Sequence, residues 1–286
     1  MLLKGNLHTH TTRTDGRKTP GEAIALYAQH GYDFIALTDH YVYNPACECG
    51  GMTVISGVEY DTGTNAKDGI WHIVALGMKD DPGLTREPSK PDVRTIIRTI
   101  KEHGGTVDLA HPAWSMNRPD EMLSLAPLGI DCTEIYNTVS GVPFNCRPYS
   151  GGIVDMLALG GWYPPCIAVD DTHFYEGEEC RSYILADCED RSQESILKSV
   201  REGRFIATQG PEFTVNADGG TVTVECTPCE RIVFYTDTLY VGDRVTRGSG
   251  ITKATYYIKP TDTFVRVELT DEQGRMGWSR AIKVRS

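Results

Sequence analysis

The stretch Leu3-Lys4-Gly5-Asn6-Leu7-His8-Thr9-His10 carries an apolar, extended run straight into two histidines two residues apart. Side chains alternate across a strand, so positions i and i+2 share a face and these two imidazoles can converge on one ion. The same plan recurs downstream. Phe34 to Leu37 runs into Thr38-Asp39-His40, Val54 to Val58 is followed by Glu59, and Ile70 to Leu76 carries His72 near its start. Thr106 to Leu109 leads to His111-Pro112, and Cys166 to Val169 ends in Asp170-Asp171-Thr172-His173. With Ile130 to Ile135 these make seven strand candidates. Helical patterns lie among them at Pro20 to His30, Pro91 to His103, Pro119 to Leu125, Gly151 to Leu159 and Ser192 to Arg201. Thr19 caps the first helix, Pro20 fits its first turn and Gly31 stops it. Helices between nearly continuous aliphatic strands predict βα units and a largely parallel sheet. Seven such strands suit a barrel better than a small doubly wound sheet.

The pattern changes at Gly210-Pro211. From Glu212 onward, period-2 runs separated by turns such as Asp218-Gly219-Gly220 predict a small antiparallel β-sandwich over residues 211–286. Residues 1–210 are thus expected to form one domain and 211–286 a second. The second is expected to pack against the first or to mediate a homodimer.

A formal charge of −11, from 39 acids and 28 bases, argues against strong nucleic-acid binding, where positive charge supplies most of the affinity. Nine cysteines cannot all pair within the chain, and neither Cys47/Cys49 nor Cys226/Cys229 has a second half with metal-ligand spacing. Reduced thiols in a cytoplasmic protein are the expectation. The start runs directly into the His8 motif without the regions of a signal peptide, and no apolar run approaches a membrane span.

Six of the eight histidines lie in or just beyond the expected strands, beside Asp15, Glu59 and Asp171. Strand ends converge at one face of α/β barrels, and mixed nitrogen and oxygen donors suit zinc, manganese or iron. Burying this set without cations would leave carboxylates unpaired. The other two, His30 and His103, fall in the last turn of helices, a favourable place for a structural imidazole. Asp39 and Asp170 read equally well as turn formers and as acceptors orienting ring nitrogens. Glu134 and Asn137 are expected to support the cleft floor.

In Asn6-Leu7-His8-Thr9-His10, Leu37-Thr38-Asp39-His40, Gly57-Val58-Glu59, His72, Ala110-His111-Pro112 and Asp171-Thr172-His173, the chain resembles the PHP (polymerase and histidinol phosphatase) family over residues 1–210. The resemblance implies a distorted seven-stranded (β/α)7 barrel holding two or three divalent ions. By the same resemblance His8, His10, Glu59 and Asp171 would hold the first ion. Glu59 would bridge to a second completed by His72 and His111, and Asp15, His40 and His173 would hold a third. The branch with an appended β domain is the one it looks like, through Gly203-Arg204-Phe205-Ile206-Ala207-Thr208-Gln209-Gly210-Pro211.

The expected activity is hydrolysis of a small phosphate monoester or diester, including nucleotides, by a hydroxide bridging two ions, since such ions lower water's pKa from about 15.7 toward about 7. His173 is either a ligand or the acid that protonates the leaving group. Arg147 and Arg118 are the phosphate-clamp candidates. Two rivals are kept: attack of the same site on a carbamate, ester or amide, and a metal-containing carbohydrate- or protein-binding module.

Overall fold

The computed structural model describes residues 1–65 and 69–285. Its strands, in chain order, are β1 (Leu2–Asn6), β2 (Phe34–Ala36), β3 (Cys47–Cys49), β4 (Met52–Ile55), β5 (Gly57–Asn65), β6 (Gly69–Leu76), β7 (Thr106–Leu109), β8 (Cys132–Asn137) and β9 (Cys166–Val169). Then follow β10 (Tyr183–Asp187), β11 (Phe205–Thr208), β12 (Phe213–Asp218), β13 (Thr221–Tyr235), β14 (Val245–Tyr257), β15 (Phe264–Thr270), β16 (Met276–Trp278) and β17 (Ile282–Lys283). The helices are α1 (Pro20–Gln29), α2 (Val93–Glu102), α3 (Pro112–Ser115), α4 (Pro119–Leu125), α5 (Gly151–Leu159) and α6 (Gln193–Glu202). Thr19 caps α1 in a reciprocal capping box with Glu22, and Asp92 and Ser192 cap α2 and α6.

The expected closed barrel is not formed. The strands divide into a five-stranded sheet, β5-β6-β7-β8-β9, and a twelve-stranded sheet containing the path β11-β10-β1-β2-β4. Closure of a seven-stranded barrel would require β9 to pair with β1. Instead β10, a strand the sequence patterning did not single out, lies antiparallel against β1 and takes that edge, with Leu3 opposite Ala186 and Gly5 opposite Ile184. On the other side, Ser56 interrupts what reads as one strand from Val54 to Val58. Its amide donates to Gln193 Oε1 and its hydroxyl to the Met78 carbonyl, so the ladder stops there. Among the described residues, isolated bridges span the two gaps: Thr9 with Thr172 on one side, and His40 with Glu59 and Asn44 with Gly57 on the other. Nor is the sheet largely parallel, since β5 against β6 and β6 against β7 are antiparallel.

Nor are the C-terminal strands a sheet of their own. They continue the twelve-stranded sheet, because β16 pairs with β11 through Ala207–Trp278 and Thr208–Gly277. The long strand β13 pairs with β12 along its first part and β15 along its last, with β14 beside both. Their inward residues Val222, Ile232, Phe234, Tyr256 and Val267 share one core. Trp278 is buried with Ile135, Val154, Ala168 and Ala207 and stacks on Tyr136, ring centroids 4.8 Å apart. No helix of the described residues is long and apolar enough to cross a membrane.

Candidate metal centre

The bridges that span the gaps between the sheets bring the histidine-bearing segments together. Beyond β1, the Thr9 amide donates to the Thr38 hydroxyl and the His10 amide to the Thr172 carbonyl, which aligns the His8–His10 segment with both neighbours. His8 and His10 are fully buried, as alternation on one face requires. Glu59 sits on β5, and His72 on the neighbouring β6 is paired with Asp61, two residues along the same face, so the two are diagonal neighbours. His111 and Asp171 adopt left-handed backbone, φ 28° and 53°. Non-glycine residues there are strained by contact between Cβ and backbone, and such strain persists only where surroundings enforce it. Here the His111 amide is held by Glu134 Oε2 at 2.8 Å and the Asp171 amide by the His8 carbonyl at 2.9 Å.

All nine proposed ligand residues fall within overlapping groups whose donor atoms lie within 4.8 Å of one another: His10, Asp15, His40 and His173; His8, His10 and Glu59; His8, His111 and Asp171; His40, Glu59 and His72. His8 Nε2 and His10 Nε2 face each other at 3.2 Å. Glu59 Oε2 is 3.3 and 3.0 Å from them, and Asp171 Oδ1 is 3.1 Å from each. Donors bonded tetrahedrally at about 2.0–2.1 Å to an ion would be about 3.3–3.4 Å apart, so this spacing fits a shared cation. Glu59 divides its oxygens. Oε2 also lies 3.3 Å from His40, whereas Oε1 faces His72 at 2.8 Å and His111 at 3.5 Å. His10 Nδ1, His40 Nδ1 and Asp171 Oδ1 are buried without a hydrogen-bond partner. Unpartnered buried polar atoms are costly, and donors of this type are satisfied by a divalent ion. The residues present fit the group.

The electrostatics point the same way. Burial opposes protonation of His8, but Asp171, Glu59 and Glu134 outweigh it and hold its pKa well above the ordinary value. His10 is raised in the same way against burial, by Asp15, Asp171 and Glu59. Burial acts to raise Glu59, yet His40, His8 and His72 hold it well below the usual carboxylate range. Burial depresses His40 and exceeds the pull of Glu59. Positive charge, from protons or from cations, is what keeps these carboxylates ionised inside the protein.

Outer partners orient the rings. Glu134 Oε1 lies 2.6 Å from His8 Nδ1, which donates to it, so Nε2 is the ring atom turned into the cluster. Asn137 donates to both Glu134 and Asp171, at 2.7 and 3.1 Å. Asp39 accepts from Thr11, Thr14 and Asn44, and Asp170 from Asn6, Tyr27, Thr138 and the amides of Arg181 and Ser182, so these two organise loops. His30 caps α1 with its Nδ1 on the Leu26 carbonyl, and His103 ends α2 beside Asp80.

The cluster opens into a cavity of about 200 Å³ lined by Asp15, His40, Glu59, His72, His111, Asp171 and His173, with Trp114, Val139, Ser140, Asn145 and Phe174 completing its wall. Trp114 packs edge-on against His72 and His111, at 5.5 and 5.1 Å between centroids. Sequence reading passed over Trp114, although it lies three residues beyond His111, one turn of helix away. Neither arginine named from sequence lines this cavity. Arg118 is exposed at the start of α4 and bonded to Asp120 through two nitrogens, and Arg147 is exposed in the loop before α5. Arg17 and Arg181, which sequence reading did not select, line an adjoining cavity.

No family model matches the chain, and neither does any curated protein. Among solved structures, a two-domain protein from Bacteroides vulgatus, described as containing a predicted PHP-like metal-dependent phosphoesterase, matches with a TM-score of 0.57 and 18% identity. The match covers 99% of this chain and 95% of that one. A lesion-specific endonuclease from Pyrococcus furiosus matches with a TM-score of 0.52 and 12% identity, over 71% of this chain and 56% of that one. At these identities the likeness is one of fold. In that fold, and in its clustered His, Asp and Glu ligand sets, the chain resembles the PHP-family metal-dependent phosphoesterases.

Proposed function

We propose that the protein hydrolyses a small phosphate ester with two or three divalent ions held by His8, His10, Asp15, His40, Glu59, His72, His111, Asp171 and His173. The observation that carries this reading is Glu59, whose two oxygens face two different sets of imidazoles. A carboxylate so placed suits a bridge between neighbouring cations. When bound, manganese, zinc or iron ions would lower the pKa of water and neutralise the oxygens of the phosphoryl group.

The chain's own residues do the rest. Glu134 and Asn137 fix the tautomer of His8 and the rotamer of Asp171. His173 Nδ1 donates to the Asp171 carbonyl at 2.7 Å, which leaves Nε2 as its free atom. Nε2 lies 3.6 Å from Asp15 and borders the cavity. With a lone pair it ligates; as an imidazolium it donates a proton to the leaving oxygen. Trp114, Val139 and Phe174 exclude water from one side.

A second reading, attack on a carbamate or ester carbonyl, is favoured by one feature. Among the described residues no lysine or arginine lines the metal cavity, while three apolar side chains do. Assaying metal-replete protein against paired aryl phosphates and aryl carbamates separates the two. Phosphate release is expected; turnover of carbamates alone would reject the phosphoester reading.

His72→Ala is expected to lower metal content and reduce turnover by at least about tenfold, as loss of a directly placed ring should exceed the mildest outer-partner effects. Elemental analysis beside the phosphate assay checks it, and unchanged values for both would remove His72 from the ligand set.

A further inference from the structure

A cavity of about 510 Å³ adjoins the metal cavity, and Phe174 lines both. The loop after β8 also serves both. Val139, Ser140 and Asn145 border the metal cavity, while Gly141, Val142, Pro143 and Phe144 border its neighbour. At about 200 Å³ the metal cavity is smaller than the roughly 300–1,000 Å³ of ordinary small-molecule sites, so it has room for the reacting group and little more. The rest of a substrate has to extend beyond it.

The neighbouring cavity has the chemistry of an aromatic-ring site. Phe144 is 73% exposed, so core packing does not account for it. Its ring meets Phe174 nearly edge-on, 5.7 Å between centroids at 80°. The Arg17 guanidinium lies over the Phe174 ring at 5.1 Å, Arg181 lines the same cavity, and Tyr136 stands at its floor on buried Trp278. Both phenylalanines are held in place. The Phe144 loop is closed by hydrogen bonds that the amides of Val142, Asn145 and Arg147 donate to the carbonyls of Val139, Val142 and Ser140. On the other side, the nearly buried Glu178 carboxylate accepts the amides of His173, Phe174, Tyr175 and Glu176 in succession. A rigid exposed aromatic edge beside a guanidinium plane loses little entropy when a flat ring enters.

We propose that this cavity is the leaving-group subsite and that the preferred substrate is a phosphate ester of an aromatic alcohol, its ring seated against the exposed side of Phe144 where Phe174 and Arg17 adjoin it. The proposal rests on the phosphoester reading above. In the reaction, water oxygen forms the new bond to phosphorus, the bond from phosphorus to the aryl oxygen breaks, and that oxygen leaves with a proton. Inorganic phosphate and a phenol are the products.

The test uses the full-length, metal-reconstituted protein and isothermal titration with phenylphosphonate and methylphosphonate, which neither turn over nor differ in their anionic group. Phenylphosphonate is expected to bind about tenfold more tightly, the worth of one good aromatic contact plus its buried area. That ratio should fall toward one in Phe144→Ala and be restored in Phe144→Tyr. Equal affinities in the wild type, or a preference unchanged in Phe144→Ala, overturn the subsite while leaving the phosphoester reading standing. Failure of both phosphonates to bind overturns that reading, and the subsite with it.

Discussion

Glu59→Ala is expected to abolish more than about 99% of turnover and to remove at least one ion per chain. The size follows from how many groups depend on this carboxylate. It lies on β5, is 1% exposed, and faces His8, His10, His40, His72 and His111 at 2.8 to 3.5 Å. Removing an outer partner of a ligand costs about 10- to 100-fold, and a carboxylate whose two oxygens face separate sets of imidazoles should exceed that range. Glu59→Gln keeps the shape and loses the charge, so it should retain the fold and still lose metal. Elemental analysis, phosphate release and circular dichroism together check the prediction. Stoichiometric metal with turnover within about threefold of wild type would refute the shared-carboxylate role.

Arg266→Ala is expected to destabilise the protein by about 3–5 kcal/mol while leaving metal content intact. Arg266 is fully buried on β15. Its Nε and Nη2 donate to the two oxygens of Asp155 on α5 at 2.6 and 3.0 Å, and Nη1 donates to Glu268. The guanidinium also lies 4.6 Å from the Tyr235 ring centroid and within 3.3 Å of the Tyr149 hydroxyl. Deleting one member of a buried ion pair leaves the others charged and unpaired, which is where the cost of about 3–5 kcal/mol arises. Arg266 belongs to none of the ligand groups and lines neither cavity at the centre. Urea denaturation monitored by tryptophan fluorescence measures the change. A loss below about 1 kcal/mol would show that this triad does not tie α5 to the C-terminal strands.

Much of the candidate cluster is legible in the sequence, because its determinants are local. His8 and His10 lie two apart after a strand, and period-2 geometry alone places them on one face. Each remaining candidate, from His40 to His173, follows or sits in an apolar run, and strand ends gather at one face of such sheets. Helix limits were equally local, since Thr19, Asp92 and Ser192 mark starts through their own side chains. Arg17, Arg181, Trp114 and Phe174 were not legible in this way. Arg17, Arg181 and Phe174 reach the cavities through loop paths whose direction no periodicity encodes, and Trp114 does so on the four-residue α3 that follows His111.

Closure of the sheet was a tertiary decision. The run from Tyr183 to Asp187 is short and apolar, Tyr-Ile-Leu-Ala-Asp, but nothing local says that it will pair antiparallel with β1 and take that edge from β9. Ser56 reads as a strand residue until Gln193, from a helix far along the chain, captures its amide. The same holds at the C-terminus. Alternation from Glu212 onward predicts antiparallel strands correctly, but only the docking of Met276–Trp278 on β11 decides that they extend the existing sheet. The sequence by itself determined which residues carry donor atoms and which segments extend or coil, because these depend on side-chain chemistry and neighbours a few positions away. Which edges pair, and which ring faces which oxygen, was settled by the tertiary structure, because those choices depend on competition among backbone groups and side chains distant in the chain.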